Sequence, residues 1–440
     1  MADLLVLGAT GFTGKLITKY LFEHPEKSKF SFAIAGRSKS KLEELKRTLR
    51  LDDSVRVIQV DVSSKTQLDE VIKQAKVVIN TVGPFYLYST PVVEACARNG
   101  THYVDLSGEP HWTHDIIFEY DYLATKTGSV IIPSAGYDSI PSDLAVYLSY
   151  KHLKSVSPNS SIEYSVNAHK VRGGFSGGTI ATLLSSLENL SWKERAKSAQ
   201  DWYISMVQGP PQTRPKLLYK LPFSNPPVYG ALSPMASINC ANVQRTWGLF
   251  EHVKRSSRDP VTTQQLPSYG PKFKFEEFFV RKSLFQSIVF SLGLITFVAA
   301  LMIPPVRWFA KFFLPKPGEG PSEDVQKRGY LELTNITTSS DHPAKNIRTI
   351  IKGRGDPGYS LTAVMISEAA LSLLLDNSEL PAFSDTWRKN SEYGVGGILT
   401  PVTALGEVLV RRLEKTGRMT FSTEVVDERE SESRKYILYT

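Results

Sequence analysis

The sequence predicts an α/β protein that opens with a doubly wound parallel sheet and has material for a second domain. Three observations carry this. Residues 4–7 are a short apolar run, followed at once by Gly8-Ala9-Thr10-Gly11-Phe12-Thr13-Gly14 and a helical pattern over 15–22. Further apolar runs at 30–35, 55–60 and 77–80 are separated by helical stretches, the pattern of parallel strands covered on both faces. The chain is 440 residues long, ample for two domains and a large core.

The first element is strand, glycine turn, helix. Glycines permit a tight turn and close approach of a pyrophosphate, and the free N–H groups and dipole of a helix start favour its negative charge. Gly8, Thr10, Gly11, Phe12, Thr13 and Gly14 are therefore the candidate phosphate-binding residues. The second strand runs into Gly36-Arg37-Ser38. A site selective for NAD places an acidic residue near this point for the ribose 2′-hydroxyl. A guanidinium at Arg37, with the Ser38 hydroxyl, suits a 2′-phosphate instead, so NADP(H) is the expected cofactor. The plainer alternative makes Arg37 a solvated residue at a helix start, beside Lys39 and Lys41. Asp61 ends the third strand, where its side chain could face adenine. Gly83 and Pro84 follow the fourth, where a nicotinamide-side loop would lie.

Composition narrows the remaining classes. Net charge is +8, but the basic residues are spread along the chain without a basic, aromatic-interleaved stripe, so no nucleic-acid partner is expected. An anionic membrane surface accounts for the excess better. Two cysteines, Cys96 and Cys240, offer neither a disulfide framework nor a metal cluster. Glu109, His111, His114 and Asp115 come closest to a ligand set and read as surface groups at a helix start, so no metal is expected. Met1-Ala2-Asp3 leads straight into the first strand; no signal peptide and a cytosol-facing location are expected.

Residues 284–303 contain no charge across twenty positions, about 30 Å as a helix and roughly the hydrocarbon thickness of a bilayer. Arg281 and Lys282 flank one end. Pro304-Pro305 and the aromatic, basic stretch 306–314 flank the other, a composition suited to a membrane interface. A buried core helix, a single span, and a shallow anchor bent at the two prolines compete. The anchor is preferred, because a span would separate residues 320–440 from the rest of the fold. Phe273, Phe275, Phe278 and Phe279 are expected on the same surface.

Beyond the fourth strand lie Tyr103-Val104-Asp105-Leu106-Ser107-Gly108-Glu109 and, after a sixth strand, Ser134-Ala135-Gly136-Tyr137-Asp138-Ser139-Ile140-Pro141-Ser142-Asp143. Together with the glycine turn, Ala35-Gly36-Arg37-Ser38, Asn80-Thr81-Val82-Gly83-Pro84-Phe85, the glycine-rich loop 172–179 and Gly397-Ile398-Leu399-Thr400-Pro401, they resemble the saccharopine dehydrogenase-like oxidoreductase family over most of the chain. They are also similar to the bacterial trans-acting enoyl reductases, which reduce lipid intermediates. The resemblance implies a Rossmann-type domain, an inserted α/β domain of mixed sheet, and C-terminal helices returning to the first domain. The expected divisions are 1–145 for NADP(H) binding, 146–282 for substrate and dimerisation, 283–316 for the membrane-associated segment, and 317–440 for the remainder. Members of this type in eukaryotes are associated with lipid droplets and other membranes, whereas true saccharopine enzymes lack such a segment.

The expected function is an NADP(H)-dependent oxidoreductase at a lipid-droplet or endoplasmic reticulum surface. It would reduce an enoyl, imine or carbonyl group of an apolar or lipid substrate in lipid or glycolipid metabolism, with a homodimer left open. A non-catalytic NADP(H)-binding scaffold and a soluble saccharopine-type amino-acid dehydrogenase are the alternatives. Tyr137 and Asp138, at a strand end, are the candidate catalytic residues, with Asp105 and Glu109 next. Against this, Asp138, Ser139 and Asp143 could simply cap the following helix. Ser134, Tyr147 and Lys151 also match the spacing of the short-chain dehydrogenases. Residues 173–179 could wall the substrate site, with Thr179 as the cap of the next helix.

Overall fold

The computed structural model describes residues 2–174, 176–257, 260–313, 318–384 and 396–426. Strands β1 (Ala2–Leu7), β2 (Phe32–Gly36), β3 (Arg56–Gln59), β4 (Ala75–Asn80), β5 (His102–Asp105) and β6 (Val130–Ile132) form a parallel sheet in the order 6-5-4-1-2-3. Side chains on both faces of β1 are buried, as an all-apolar strand between two helical layers requires. The Rossmann-type sheet is as expected.

The chain leaves this sheet through helix Ile140–Val156, which packs on the second sheet, so the division expected at 145 falls inside a helix. A second sheet follows: β7 (Ile162–Arg172), β8 (Tyr219–Lys220), β9 (Tyr229–Leu232), β10 (Lys274–Arg281), β11 (Tyr330–Ser339) and β12 (Asn346–Arg354). Strand β13 (Gly397–Ile398) then returns to the first sheet beside β6, and β14 (Met419–Val426) closes the second beside β12. The second sheet is mixed, in the order 14-12-11-7-10-9-8, with only the β7–β10 pair parallel.

Strand β7 runs well past the apolar stretch 162–166. Asn167 and His169 point inward at buried positions, where side-chain partners satisfy them. Their polarity hides the strand from a hydropathy reading. Strand β10 corrects another expectation. Phe273, Phe275 and Phe278 are buried and Phe279 nearly so, hence they belong to the core and not to a membrane surface.

Helix Leu284–Leu301 is neither a core helix nor a span dividing the molecule. It lies along β9, turning Ser287, Ser291 and Leu301 inward; Ser291 donates to the Leu217 carbonyl (2.8 Å) and accepts from the Leu232 N–H (3.0 Å). Its other faces are open, with Phe285 74% exposed. Residues before it (β7) pair with residues after it (β11) over almost the whole strand, and β13 pairs with β6. Both sides of the helix therefore share each sheet.

The C-terminal helices pack back on the first sheet. Helix Thr362–Leu375, led by a wide turn at Pro357–Leu361, is buried almost throughout. Thr400 caps helix Pro401–Lys415, with Pro401 in its first turn. Buried Glu368 accepts from Tyr20 (2.5 Å), His24 (2.8 Å) and Arg412 Nε (2.7 Å), while Arg412 also reaches Asp376 (2.8 Å) and Glu26 (3.0 Å). Burial pushes the Glu368 carboxyl up, but these donors and the Arg412 charge outweigh it and hold the group below its usual range. A depressed carboxylate stabilises the fold above its unfolded pKa and loses that contribution as the pH falls into the acid range. Glu368→Ala leaves Arg412 short of its buried partner and is expected to cost about 3–5 kcal/mol in denaturant unfolding at neutral pH. The gap between variant and wild type should shrink in acid.

Candidate functional site

The carboxyl ends of β1, β2, β4, β5 and β6 gather one set of loops. The turn after β1 is compact. Gly8 has φ +77°, and a Cβ on it would lie 2.7 Å from Thr81 Oγ1. A Cβ on Gly14 would lie 2.4 Å from the Gly8 carbonyl oxygen and 2.8 Å from Ala9 Cα, so helix Phe12–Phe22 approaches β1 as only glycine permits. Gly11 caps that helix without a side-chain hydrogen bond, and no acidic residue stands in its first turn. Gly8, Thr10, Gly11, Phe12 and Thr13 remain partly accessible. An open helix start above a glycine cradle fits a dinucleotide pyrophosphate.

After β2, Arg37 is exposed, and its guanidinium has no hydrogen-bond partner among the described residues. Ser38 caps helix Lys39–Thr48, accepting from the Lys41 N–H at 3.4 Å. Asp61 accepts from the Ser63 N–H (2.9 Å) and hydroxyl (2.8 Å); these bonds, aided by the Arg37 charge, hold it below its ordinary range. Arg37, Ser38 and Asp61 thus share one end of the site. Gly83 and Pro84 precede the short helix Phe85–Tyr88, whose first N–H groups are capped by both oxygens of Glu109 (2.9 and 2.8 Å).

Glu109 is therefore occupied, and so is Asp105. Buried Asp105 accepts from Tyr103, from the Ser107 N–H and from the Ser134 N–H, each at 2.8 Å, and ties the loops after β5 and β6 together. Burial pushes its carboxyl up to about 7. Asp143 likewise accepts from the Thr246 hydroxyl (2.7 Å) and the Val402 N–H (3.1 Å), joining three helices instead of capping its own.

Asp138 differs from all of these. Its side chain is half-buried beside Gly108 and accepts no hydrogen bond from a described residue. Its protein-dense surroundings, with the Glu277 charge behind them, push its carboxyl up to about 7. Tyr137, its neighbour, is buried and reaches across to the second sheet. Its hydroxyl lies 3.1 Å from His169 Nδ1 on β7, and His169 Nε2 lies 3.2 Å from Glu277 on β10. Hydropathy gave no sign of His169 or Glu277, because strand pairing between distant segments brings them together.

The glycine-rich loop closes the same region. Asp356 accepts from the Gly174 N–H (2.8 Å), and the Tyr359 hydroxyl contacts the Ser176 N–H (2.5 Å) and the Thr179 hydroxyl (2.8 Å). Ser176, not Thr179, caps helix Gly177–Asn189. The Tyr359 ring stands edge-on to Phe12 at 5.3 Å, so second-domain residues reach the helix start of the glycine turn.

Two alternatives are not assembled. The Ser134 hydroxyl donates to the Ser107 carbonyl, while Lys151 pairs with Glu407 (2.9 Å) and Tyr147 lies beside Gly406 near the C-terminal helix. No group of metal-ligating side chains occurs among the described residues; His114 stacks on Tyr203, and His111 lies 3.9 Å from Glu109.

Residues 4–132 match the model of the saccharopine dehydrogenase NADP-binding domain. A protein named as a trans-acting enoyl reductase from Mycobacterium tuberculosis is 30% identical over 435 residues, covering 94% of this chain and 96% of its own. A saccharopine dehydrogenase-like oxidoreductase from Pongo abelii is 30% identical over 439 residues, covering 94% and 95%. The chain belongs to the saccharopine dehydrogenase-like oxidoreductase family. It is accordingly an NADP(H)-dependent oxidoreductase. Saccharopine dehydrogenase (L-glutamate forming) from Saccharomyces cerevisiae has the same fold, with a TM-score of 0.52 at 14% identity, covering 97% of this chain and all of that one.

The cradle sets a test for this family member. Gly14→Ala pushes a methyl into the Gly8 carbonyl and is expected to cost about 1–3 kcal/mol of stability and to weaken NADPH at least tenfold in a fluorescence titration. Gly11→Ala, whose Cβ has 3.2 Å to the same oxygen, should be milder on both counts.

Proposed function

We propose that this protein is a reductase of an apolar, lipid-like substrate that works while docked on a lipid surface. The observation that carries the proposal is the exposed apolar face of helix Leu284–Leu301 and of the segment after it. Phe285, Val289, Leu292, Ile295 and Phe297 point outward, and Trp308, Phe309, Phe312 and Phe313 continue the surface beyond Pro304. A surface this large and this aromatic is the kind that enters the interfacial zone of a bilayer or droplet. The shared sheets favour a helix lying in that interface. Glu188 pairs with Arg307 (3.2 Å) and Lys311 (2.7 Å), holding the aromatic helix Pro304–Ala310 against helix Gly177–Asn189, the wall that continues from the glycine-rich loop. An apolar substrate drawn from lipid would reach the site along that wall. Relatives named as enoyl reductases agree with a reduction.

In this reading Gly8, Thr10, Gly11, Phe12, Thr13 and Gly14 hold the pyrophosphate, Arg37 and Ser38 the 2′-phosphate, Asp61 faces adenine, and Gly83 and Pro84 shape the nicotinamide side. The cofactor, when bound, supplies the hydride. Asp138 supplies the proton: it is accessible, free of hydrogen bonds to described residues, and holds its proton to about pH 7.

Flotation through a sucrose gradient with phosphatidylcholine vesicles tests the surface. The wild type is expected to float. The double variant Phe285→Asp, Val289→Asp should partition roughly a hundredfold less with an unchanged melting temperature, since both side chains are already exposed. A wild type that stays at the bottom would overturn the docking. The proton donor has its own signature. A required acid is active below its pKa, so turnover should be level below about pH 7 and fall above it. Asp138→Asn should leave a small, pH-independent rate, and an unchanged profile would remove Asp138 from the role.

A further inference from the structure

We propose that the cavity between helices Ile140–Val156, Ala236–Ser256 and Pro401–Lys415 is a second ligand site, separate from the dinucleotide cleft. It takes an amphiphile with an oxyanion head, a carboxylate or a phosphate, on an apolar chain. The inference needs neither the reductase chemistry nor the lipid docking proposed above. The cavity has a volume of about 860 Å³, within the range of small-molecule sites. None of the residues assigned to NADP(H) is among the described residues that line it, and neither is Asp138. Helix Ile140–Val156 begins just after the Asp138 loop. Tyr150, on the cavity wall, stands ten residues along that helix from Ile140, about 15 Å away.

Apolar walls meet basic groups here. Tyr150, Phe250, Leu266 and Val402 of the lining are buried, and water against such side chains is unfavourable, so an apolar chain is the better occupant. Three lysines share the lining. Lys151 pairs with Glu407 (2.9 Å), and Lys154 donates to the Pro158 carbonyl (3.0 Å). Half-buried Lys254 has no hydrogen bond or ion pair with a described residue. Glu251, the acidic group of the described lining, is buried and accepts from the Ser268 hydroxyl. Lys154 and Lys254 repel one another: burial and then the Lys254 charge push the Lys154 ammonium below its usual range, against the pull of Asp341. An oxyanion between the two relieves that repulsion and gives Lys254 a partner.

Tyr147 and Lys151, whose spacing matches the short-chain dehydrogenases, find their place in this cavity wall. The Tyr147 hydroxyl makes no hydrogen bond to a described residue and adds a donor beside the lysines. Helix Pro401–Lys415 is broken next to it. Gly406 has φ +51° and ψ −133°, and a Cβ there would lie 2.9 Å from Pro381 Cγ and 3.7 Å from the Tyr147 hydroxyl oxygen, both residues of the wall. Such a conformation inside a helix is costly, and conformations of this kind cluster at ligand sites. An occupant also touches the three helices that Asp143 joins through Thr246 and the Val402 N–H.

The probe is decanoate, kept below its micelle concentration and titrated by calorimetry into the full chain saturated with NADP⁺. Decyl phosphate, decanol and inorganic phosphate are the comparison ligands. Decanoate or decyl phosphate should bind at one site, the tighter of the two naming the head group. Decanol and inorganic phosphate should each bind at least about tenfold more weakly, the size of a lost charge-assisted hydrogen bond or a lost apolar chain. The double variant Lys154→Met, Lys254→Met should weaken both anionic probes about tenfold and leave decanol and NADPH affinity unchanged. A decanoate carrying a diazirine on its chain, photoactivated with NADP⁺ present, should mark peptides from 147–154 and 264–271. Should the double variant misfold, this labelling of the wild type still decides. Labelling of 284–301 in place of those peptides overturns the proposal. So does decanol or inorganic phosphate binding as tightly as the anionic amphiphiles, an unchanged affinity in the folded double variant, or no binding of any probe.

Discussion

Strand pairing across a long sequence separation governs this molecule. Strand β11 pairs with β7 and β13 with β6, although helix Leu284–Leu301 lies between the partners in sequence. The chain before the helix and the chain after it therefore belong to the same two sheets. The inward face of the helix, with Ser287 and Ser291 and the Leu217 and Leu232 backbone groups, is polar enough to hold a protein surface and narrow enough to leave the rest apolar. The same pairing builds the site. Tyr137 at the end of β6 meets His169 and Glu277 only because β7 and β10 lie side by side.

The glycine turn was readable because backbone geometry dictates it locally. Gly8 and Gly14 stand where a Cβ has no room, and a run that is weak alone takes its meaning from the strand before it and the helix after it. The basic residue after β2 was readable for the same reason, since its place follows from the strand before it. The second sheet was not. Buried Asn167, His169 and Asn335 are satisfied by one another and by neighbouring hydroxyls, and hydropathy scores such positions as exposed. Phe275 and Phe278 of β10 read as surface aromatics amid Lys272, Lys274 and Glu276, yet both faces of the strand are covered, Phe275 entering one apolar cluster and Phe278 another, with Glu276 and Glu277 buried between them.

Among the acidic groups, hydrogen bonding separates structure from chemistry better than sequence position does. Asp105, Glu109, Asp143 and Asp356 lie close to the expected site, and each is committed to backbone or hydroxyl donors. Asp138 is the carboxyl left open there. The chain belongs to a family of NADP(H)-dependent oxidoreductases, but the family fixes only the cofactor and the class of reaction. The apolar helix carries the more specific proposal about where the substrate comes from.

Product labelling tests the chemistry most directly. The protein is incubated with a trans-2-dodecenoyl thioester and NADPH deuterated at its transferable position, using each face in turn, and then with unlabelled NADPH in deuterated water. Reduction of the enoyl group yields a saturated thioester with one deuterium at the β carbon from a single face of the cofactor, and one at the α carbon from solvent. Tight NADPH binding with no labelled product from the enoyl thioester would contradict it.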